Sequence, residues 1–506
     1  MPKPKTIAQT EEKVFVFGTK GLNLSIPAML IEDDELSYGI NFWLSQLGQF
    51  ESRPNLVSCL DTVLPASVRG MGYWAAGDQI IAFAGTGVFS MPSDFSTDPV
   101  LLGYVSSADS SIPVVTQNYS SKLFIGSGGE LQYIDAGGLQ TITKAAGSLD
   151  PPTATVALAV KSNRLMAGQE STIYYSGAGF YDDWGDAGAA PTLNGGSFSI
   201  DMGDGGEISG LANWKEYLIV HKYGTRNTIN KVSGTGEDDD YFVPTHVAEG
   251  ISCVSPELLI PFGADQFFCS NGGVHLFKTV DTFGNTESIP LSSKISPAYT
   301  VSAPLAATFS DKYGMYFIVN SIGQILCYNR GAEAWFKWAT NLTTMKSAKN
   351  IGEKVYFGGE DGQIYRLAIG EYVASPEVFQ SALSTKAFSM GATSNAKFVK
   401  NAQIVAQFQS EDIVHMEAKG RTGTARLRKR QYSGAGTLSQ GFDRSYGFDD
   451  THLGFDMAAK TVNIPFKIAR STDNLMISIS TYARVRLIYG IINPHGMTRR
   501  EVSING

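Results

Sequence analysis

The feature that most constrains this chain is a β-hairpin unit that recurs along its first three quarters. Its clearest copy is KVYFGGEDGQIYRL, Lys354 to Leu367. Val355, Tyr356 and Phe357 are β-branched or aromatic and predict a buried strand. Asp361-Gly362 predicts a tight type I′ turn, because its two central positions need φ > 0. Ile364 and Leu367 then predict the return strand, with Gln363 and Arg366 facing outward. A lone hairpin cannot bury its own apolar face in water, so such units must stack.

Six further stretches have the same form. QIIAFAGTGVFSM, KLFIGSGGELQYI, RLMAGQESTIYYS, YLIVHKYGTRNTI, QFFCSNGGVHLF and GMYFIVNSIGQILCY each place a glycine near a turn. Taking Gly87, Gly129, Gly168, Gly224, Gly273, Gly323 and Gly362, the steps are 42, 39, 56, 49, 50 and 39 residues. A four-stranded propeller blade needs about 40–50 residues, so each hairpin is half a blade. Radial repetition also hides sheet edges. The expected fold is therefore all-β: a β-propeller of six to eight blades over 61–372. The competing arrangement is a pair of β-sandwiches built from unrelated hairpins.

The flanks read differently. Residues 1–60 predict an N-terminal arm and a lead-in hairpin, in which Asp33 caps a short helical turn beside Asp34 and Glu35. After Tyr372 the strands KFVKNAQIVAQFQ, TVNIPFKIA and LMISISTYARVRLIYGII are longer and alternate. Residues 373–506 thus predict a second, β-sandwich-like platform domain with a long glycine-rich loop at 441–456.

Composition narrows the function. The formal charge is −8 over 506 residues, which argues against a protein whose main task is gripping nucleic acid. No apolar run reaches the length of a membrane span and the first residues lack a signal-peptide core, so no membrane insertion is expected. Cys59, Cys253, Cys269 and Cys327 form no CxxC pair and read as buried free thiols of a reducing cytoplasm.

No motif of an enzyme is present. The six histidines show no HExxH, and neither a GxSxG elbow nor a GxxxxGK[ST] loop occurs. No catalytic residue, cofactor or metal is expected. Asp182, Asp183 and Asp186 surround Trp184, a grouping that a glycan site would use only if the carboxylates converged beside an open ring. Asp443, Asp449 and Asp456 of three GFD triplets match no calcium loop, whereas Phe442, Phe448 and Phe455 suit packing on a partner. Arg426, Arg428 and Arg430 share one face if 425–431 is a strand, with Lys419, Arg421 and Lys429 nearby. Glu237, Asp238, Asp239 and Asp240 form the opposite charge run. These two runs and the three phenylalanines are the candidate assembly interface.

The order of GLNLSIP, DDEL, GINFW and FESRP between Gly21 and Pro54 resembles the start of the tail nozzle proteins of short-tailed bacteriophages, also called packaged-DNA stabilisation or tail tubular proteins. IYYSGAGFYDDW from Ile173, GEISGLANWKEYLIVHKYG from Gly206 and GISCVSPELLIPFGADQFFCSNGGVHLF from Gly250 are similar to that family's blade sequences. The resemblance covers most of 21–367. It implies a β-propeller subunit of a six-copy ring in the virion tail, assembled in the bacterial host cytoplasm. The implied partners are further copies, a tail adaptor ring and tail fibre or spike proteins, with double-stranded DNA in transient passage and no catalysis. The alternative is a carbohydrate-binding or glycan-hydrolysing tail protein built around Trp184.

Overall fold

The computed structural model describes residues 13–45, 48–107, 109, 111–185, 194–237, 240–263, 265–279, 286–369, 377–389, 397–408, 414–420, 425–432, 460–472, 474–482 and 485–495. Seven four-stranded antiparallel sheets follow one another between residues 55 and 368. The seven hairpins read from the sequence are the second and third strands of these sheets, from Gln79–Ala84 with Gly87–Pro92 to Lys354–Gly359 with Ile364–Ala368. The innermost strand of each sheet packs against that of the next. The seventh, Met345–Ile351, packs against the first, Val68–Trp74, and Ser347 Oγ donates to Val68 O at 2.8 Å across that joint. The chain is a closed seven-bladed propeller.

Alternation along the strands explains why their sequences read as unbroken apolar runs. In QIIAFA, Ile80, Ala82 and Ala84 pack toward the seventh blade with Tyr356 and Ile364. Ile81 and Phe83 pack toward the second blade with Leu123 and Ile125. Both faces of a blade are buried, so the period of two carries no polar phase. Each fully buried side chain of this size contributes about 1.5–3 kcal/mol.

Local turn chemistry departs from expectation at the Lys354 hairpin, while the turn read near Gly168 falls two residues later. Gly168 lies inside the strand Arg164–Gln169, and the turn follows at Glu170, whose φ is +51°. In the Lys354 hairpin only Gly362 has positive φ, at +81°, and Gly359 N donates to Gln363 O. The loop is thus longer than a type I′ turn and ends in a left-handed glycine. Gln363 is not outward: its buried amide accepts from Leu60 N at 3.0 Å and donates to Leu60 O at 2.8 Å.

The N-terminal segment is not a separate unit. Asn55–Ser58 is the outermost strand of the seventh blade and closes the ring. Lys13–Phe15, Phe42–Leu44 and Phe50–Ser52 join Val485–His495, Lys397–Phe408 and Lys460–Thr472 in one six-stranded sheet. Leu36–Ile40 joins Ser381–Thr385, Phe388–Ser389, Asn474–Thr481, Val414–Gly420 and Ala425–Tyr432 in the other. The two sheets face each other: Phe15 of one meets Phe388 of the other at 4.8 Å between ring centres. The helical turn expected at Asp33 does not form. Asp33 instead pairs with Lys13 at 2.9 Å and Lys386 at 3.0 Å, while buried Glu35 pairs with Lys294 at 2.9 Å.

Arg53 locks the two bodies together. Its side chain is 1% exposed and its Nη2 lies 2.7 Å from Glu377 Oε1, itself on a side chain 2% exposed. Nε donates to Asn41 Oδ1 at 3.1 Å, Nη1 to Pro54 O at 2.9 Å and Nη2 to Ala339 O at 3.1 Å. The guanidinium also stacks 3.8 Å from the centre of Phe379. Removing one member of a buried pair strands the other charge, at a cost of about 3–5 kcal/mol. Arg53→Met should therefore lower the urea unfolding midpoint sharply, and adding Glu377→Gln should recover part of the loss. A single variant as stable as the parent would show that the pair is not a structural lock.

Candidate functional site

Charged side chains from distant parts of the chain meet at the propeller axis. Arg69 is in the innermost strand of the first blade, Lys349 in that of the seventh, and Glu257 in the 3-10 turn Pro256–Leu258 that leads into the fifth. Arg69 Nη1 donates to Ile112 O at 2.8 Å and to Asp109 O at 3.4 Å. A methyl group placed on Gly70 would stand 3.3 Å from Glu257 Oε1, so the Glu257 side chain crosses from the fifth blade to the first. Glu257 and Lys349 are enclosed by protein yet keep partial contact with water.

Burial raises the Glu257 carboxyl to about 8, against the opposing pull of Lys349 and Arg69. Burial likewise lowers Lys349, with Glu257 acting against it. The axis is therefore crossed by protein side chains. It is closed to a duplex whose major groove alone is about 12 Å wide. Arg69, Glu257 and Lys349 were not singled out from the sequence. They lie far apart in the chain, and no spacing rule links residues brought together by closing a ring.

The alternative glycan site around Trp184 lacks its open ring. Trp184 is 1% exposed and packs between the second and third blades with Phe124, Leu131 and Leu165. Its ring is core, not an open sugar platform. Asp183 Oδ1 accepts from Gly185 N at 3.0 Å in a local turn. Asp186 lies outside the described residues. His221 is fully buried, its imidazole lowered to about 3 by burial, and its Nδ1 accepts from Cys253 N at 3.1 Å. Cys253, Cys269 and Cys327 are buried free thiols and Cys59 is half-buried.

Glu237 and Asp240 are exposed at the tip of the fourth blade's outer hairpin, where Asp240 N donates to Glu237 O at 3.0 Å. Asp240 borders a cleft of about 500 Å³ with Lys161, Lys215, Tyr217 and Thr235, between the third and fourth blades. Asp238 and Asp239 lie outside the described residues, as do Phe442, Phe448, Phe455 and the whole of 441–456. Arg426, Arg428 and Arg430 do lie on a strand, Ala425–Tyr432. Its register pairs Arg430 with Met416 and Arg428 with Ala418, but an offset then sets Arg426 opposite Lys419.

No family model matches the chain, and no curated protein matches it in sequence. Among solved structures it is similar to the computationally designed Ika8 protein at 14% identity, over 62% of this chain and 100% of that one, with a TM-score of 0.37. It is similar to BamB from Moraxella catarrhalis at 11% identity, over 65% and 93%, with a TM-score of 0.39. The Neurospora crassa Pan2 WD40 domain matches at 8% identity over 62% and 94%, with a TM-score of 0.41. At these values the likeness concerns fold alone, and the blade count rests on the strand pairing above.

The axial carboxyl generates a pH dependence of defined sign. A carboxyl held above its unfolded value of 4.5 binds extra protons in the native state, so its contribution is lost as pH rises toward 8. Lys349, depressed in the fold, acts in the opposite sense at higher pH. Glu257→Gln should match the parent near pH 5 and exceed it at pH 8.5, by on the order of 1–3 kcal/mol. Urea midpoints measured across this range would check it, and parallel curves for the two proteins would contradict it.

Proposed function

We propose that this chain is a structural subunit of a ring-shaped tail nozzle of a short-tailed bacteriophage, through which DNA is retained and then ejected. The observation that carries the reading is the ordered resemblance across 21–367, and in particular the Gly21–Pro54 segment. Its residues are tightly specified. A Cβ on Gly21 would stand 2.4 Å from Trp335 O at a φ of +71°. Asn41, at φ +60°, donates from Nδ2 to Gln380 O at 2.8 Å and receives Arg53 Nε on its Oδ1. These three positions join the propeller to the two-sheet body, so the motif has a structural task.

The closed axis favours a conduit formed between subunits, with each propeller in the wall. Six copies at −8 would give a formal −48, which disfavours tight binding of a phosphate backbone to the wall. Such a ring needs a heterologous interface, where one patch meets a different patch on the next copy. Glu237 and Asp240 on one side, and the strand bearing Arg426, Arg428 and Arg430 on the other, would steer that contact. Affinity would come from buried apolar side chains, since exposed ion pairs contribute about 0–1 kcal/mol each. The ring would sit below an adaptor ring and bear fibres or spikes.

Mixed with its tail partners, the chain should give a particle whose mass fits six copies in the ring. Reversing Arg426, Arg428 and Arg430 to glutamate should slow its assembly at low salt and matter less at high salt, where screening shortens the reach of the charges. A chain that stays monomeric with those partners would overturn the reading. An unchanged rate at every ionic strength would remove the arginines from the interface.

A further inference from the structure

The second sheet of the two-sheet body has one face in the core and one face open. Leu383, Met416, Ala418, Ile477 and Ile479 are buried on the inner side. The alternate residues form the wall of an open groove of about 640 Å³. Strand register arranges them in rows. Tyr38 stands opposite Ser384, Ser384 opposite Ser478, and Ser478 opposite Glu417. Beside that row, Ser480 stands opposite both Ala382 and His415. Neighbouring strands are 4.7–4.9 Å apart, so the four-residue row spans about 14 Å.

Three features give this face a ligand chemistry. Its floor is hydroxyl, imidazole and carboxylate, with Ser384 Oγ 2.7 Å from Ser478 Oγ. Among the described residues the buried His415 Nδ1 has no hydrogen-bond partner, a state that buried polar atoms rarely keep without a ligand or water. Tyr38 closes one end of the row with a ring 43% exposed, Lys337 Nζ standing 5.4 Å from its centre. Glu417 and Lys419 pair with each other at 3.4 Å, so the described charges of the wall largely satisfy one another. Among the described residues Tyr38 is the one aromatic side chain on the wall, and the aliphatic Leu383 and Ile479 that also line it are only 1% and 2% exposed, so an apolar peptide would find little to pack on. The volume lies within the range of small-ligand sites.

We propose that this face binds an oligosaccharide laid across the strands, with one sugar ring against Tyr38 and hydroxyls bonded to Ser478, Glu417 and His415. The site is remote from Trp184 and does not depend on the nozzle reading. The test uses the unassembled full chain on an array of bacterial surface polysaccharides, followed by calorimetric titration of the polysaccharide it retains. Tyr38→Ala and His415→Ala should each weaken binding by about tenfold, the loss expected for one or two contacts. Tyr38→Phe should retain it, and so should Asp182→Asn with Asp183→Asn. If His415→Ala does not fold, His415→Gln serves in its place. No retention of any polysaccharide, or retention indifferent to both groove variants, would overturn the proposal. Ring assembly by the same variants is a separate readout, expected unchanged. Lost assembly with intact sugar binding would make this face a subunit contact instead.

Discussion

The Arg53 guanidinium sits where four pieces of chain converge: the Gly21–Pro54 segment, the end of the sixth blade, the closing strand of the seventh, and the segment leaving the propeller. Its charge is met by Glu377, and its hydrogen bonds by Asn41, Pro54 and Ala339. Glu377 Oε1 also accepts from Thr340 Oγ1 at 2.9 Å and Asn341 N at 3.1 Å. A buried charge that needs this many partners tolerates one arrangement only. The chain therefore leaves the two-sheet body, closes the propeller and returns to that body under a shared constraint. Ring closure by Asn55–Ser58 places the first strand beside the last, which ties stability to a contact more than 300 residues apart in sequence.

Much of this was legible because blades are local. A hairpin announces itself through a β-branched or aromatic run, a glycine and a second run, and seven such signals became the middle strands of seven sheets. The count could not be fixed beforehand, since the spacing is irregular and a closed ring accepts several blade numbers. The turn read near Gly168 falls at Glu170, and Gly168 itself serves inside the strand where a neighbour crowds it: a Cβ there would lie 2.8 Å from Ile208 Cγ2. The lead-in hairpin, Phe42–Leu44 with Phe50–Ser52, formed as read. Its sheet was not legible, because the further partners of Lys13–Phe15, Leu36–Ile40 and Phe50–Ser52 lie beyond residue 380, and alternation in so short a strand cannot name a partner.

Sites were less legible than fold. The alternative of a sugar platform at Trp184 required an open ring, and that ring is buried core. The axial residues Arg69, Glu257 and Lys349, and the groove row from Tyr38 to Glu417, come from remote segments that only closure and strand register juxtapose. The resemblance read at Gly21–Pro54 pointed to architecture, and the residues behind it prove to be joints.

The functional account requires the DNA path to run between copies of the chain and not through any propeller. Electron cryomicroscopy of the assembled tail particle addresses this most directly. The account predicts a six-fold ring whose lumen is bounded by several copies, with density for Glu257, Arg69 and Lys349 crossing each propeller axis. A duplex threaded along a propeller axis, or a chain present as a single copy away from the lumen, would contradict it.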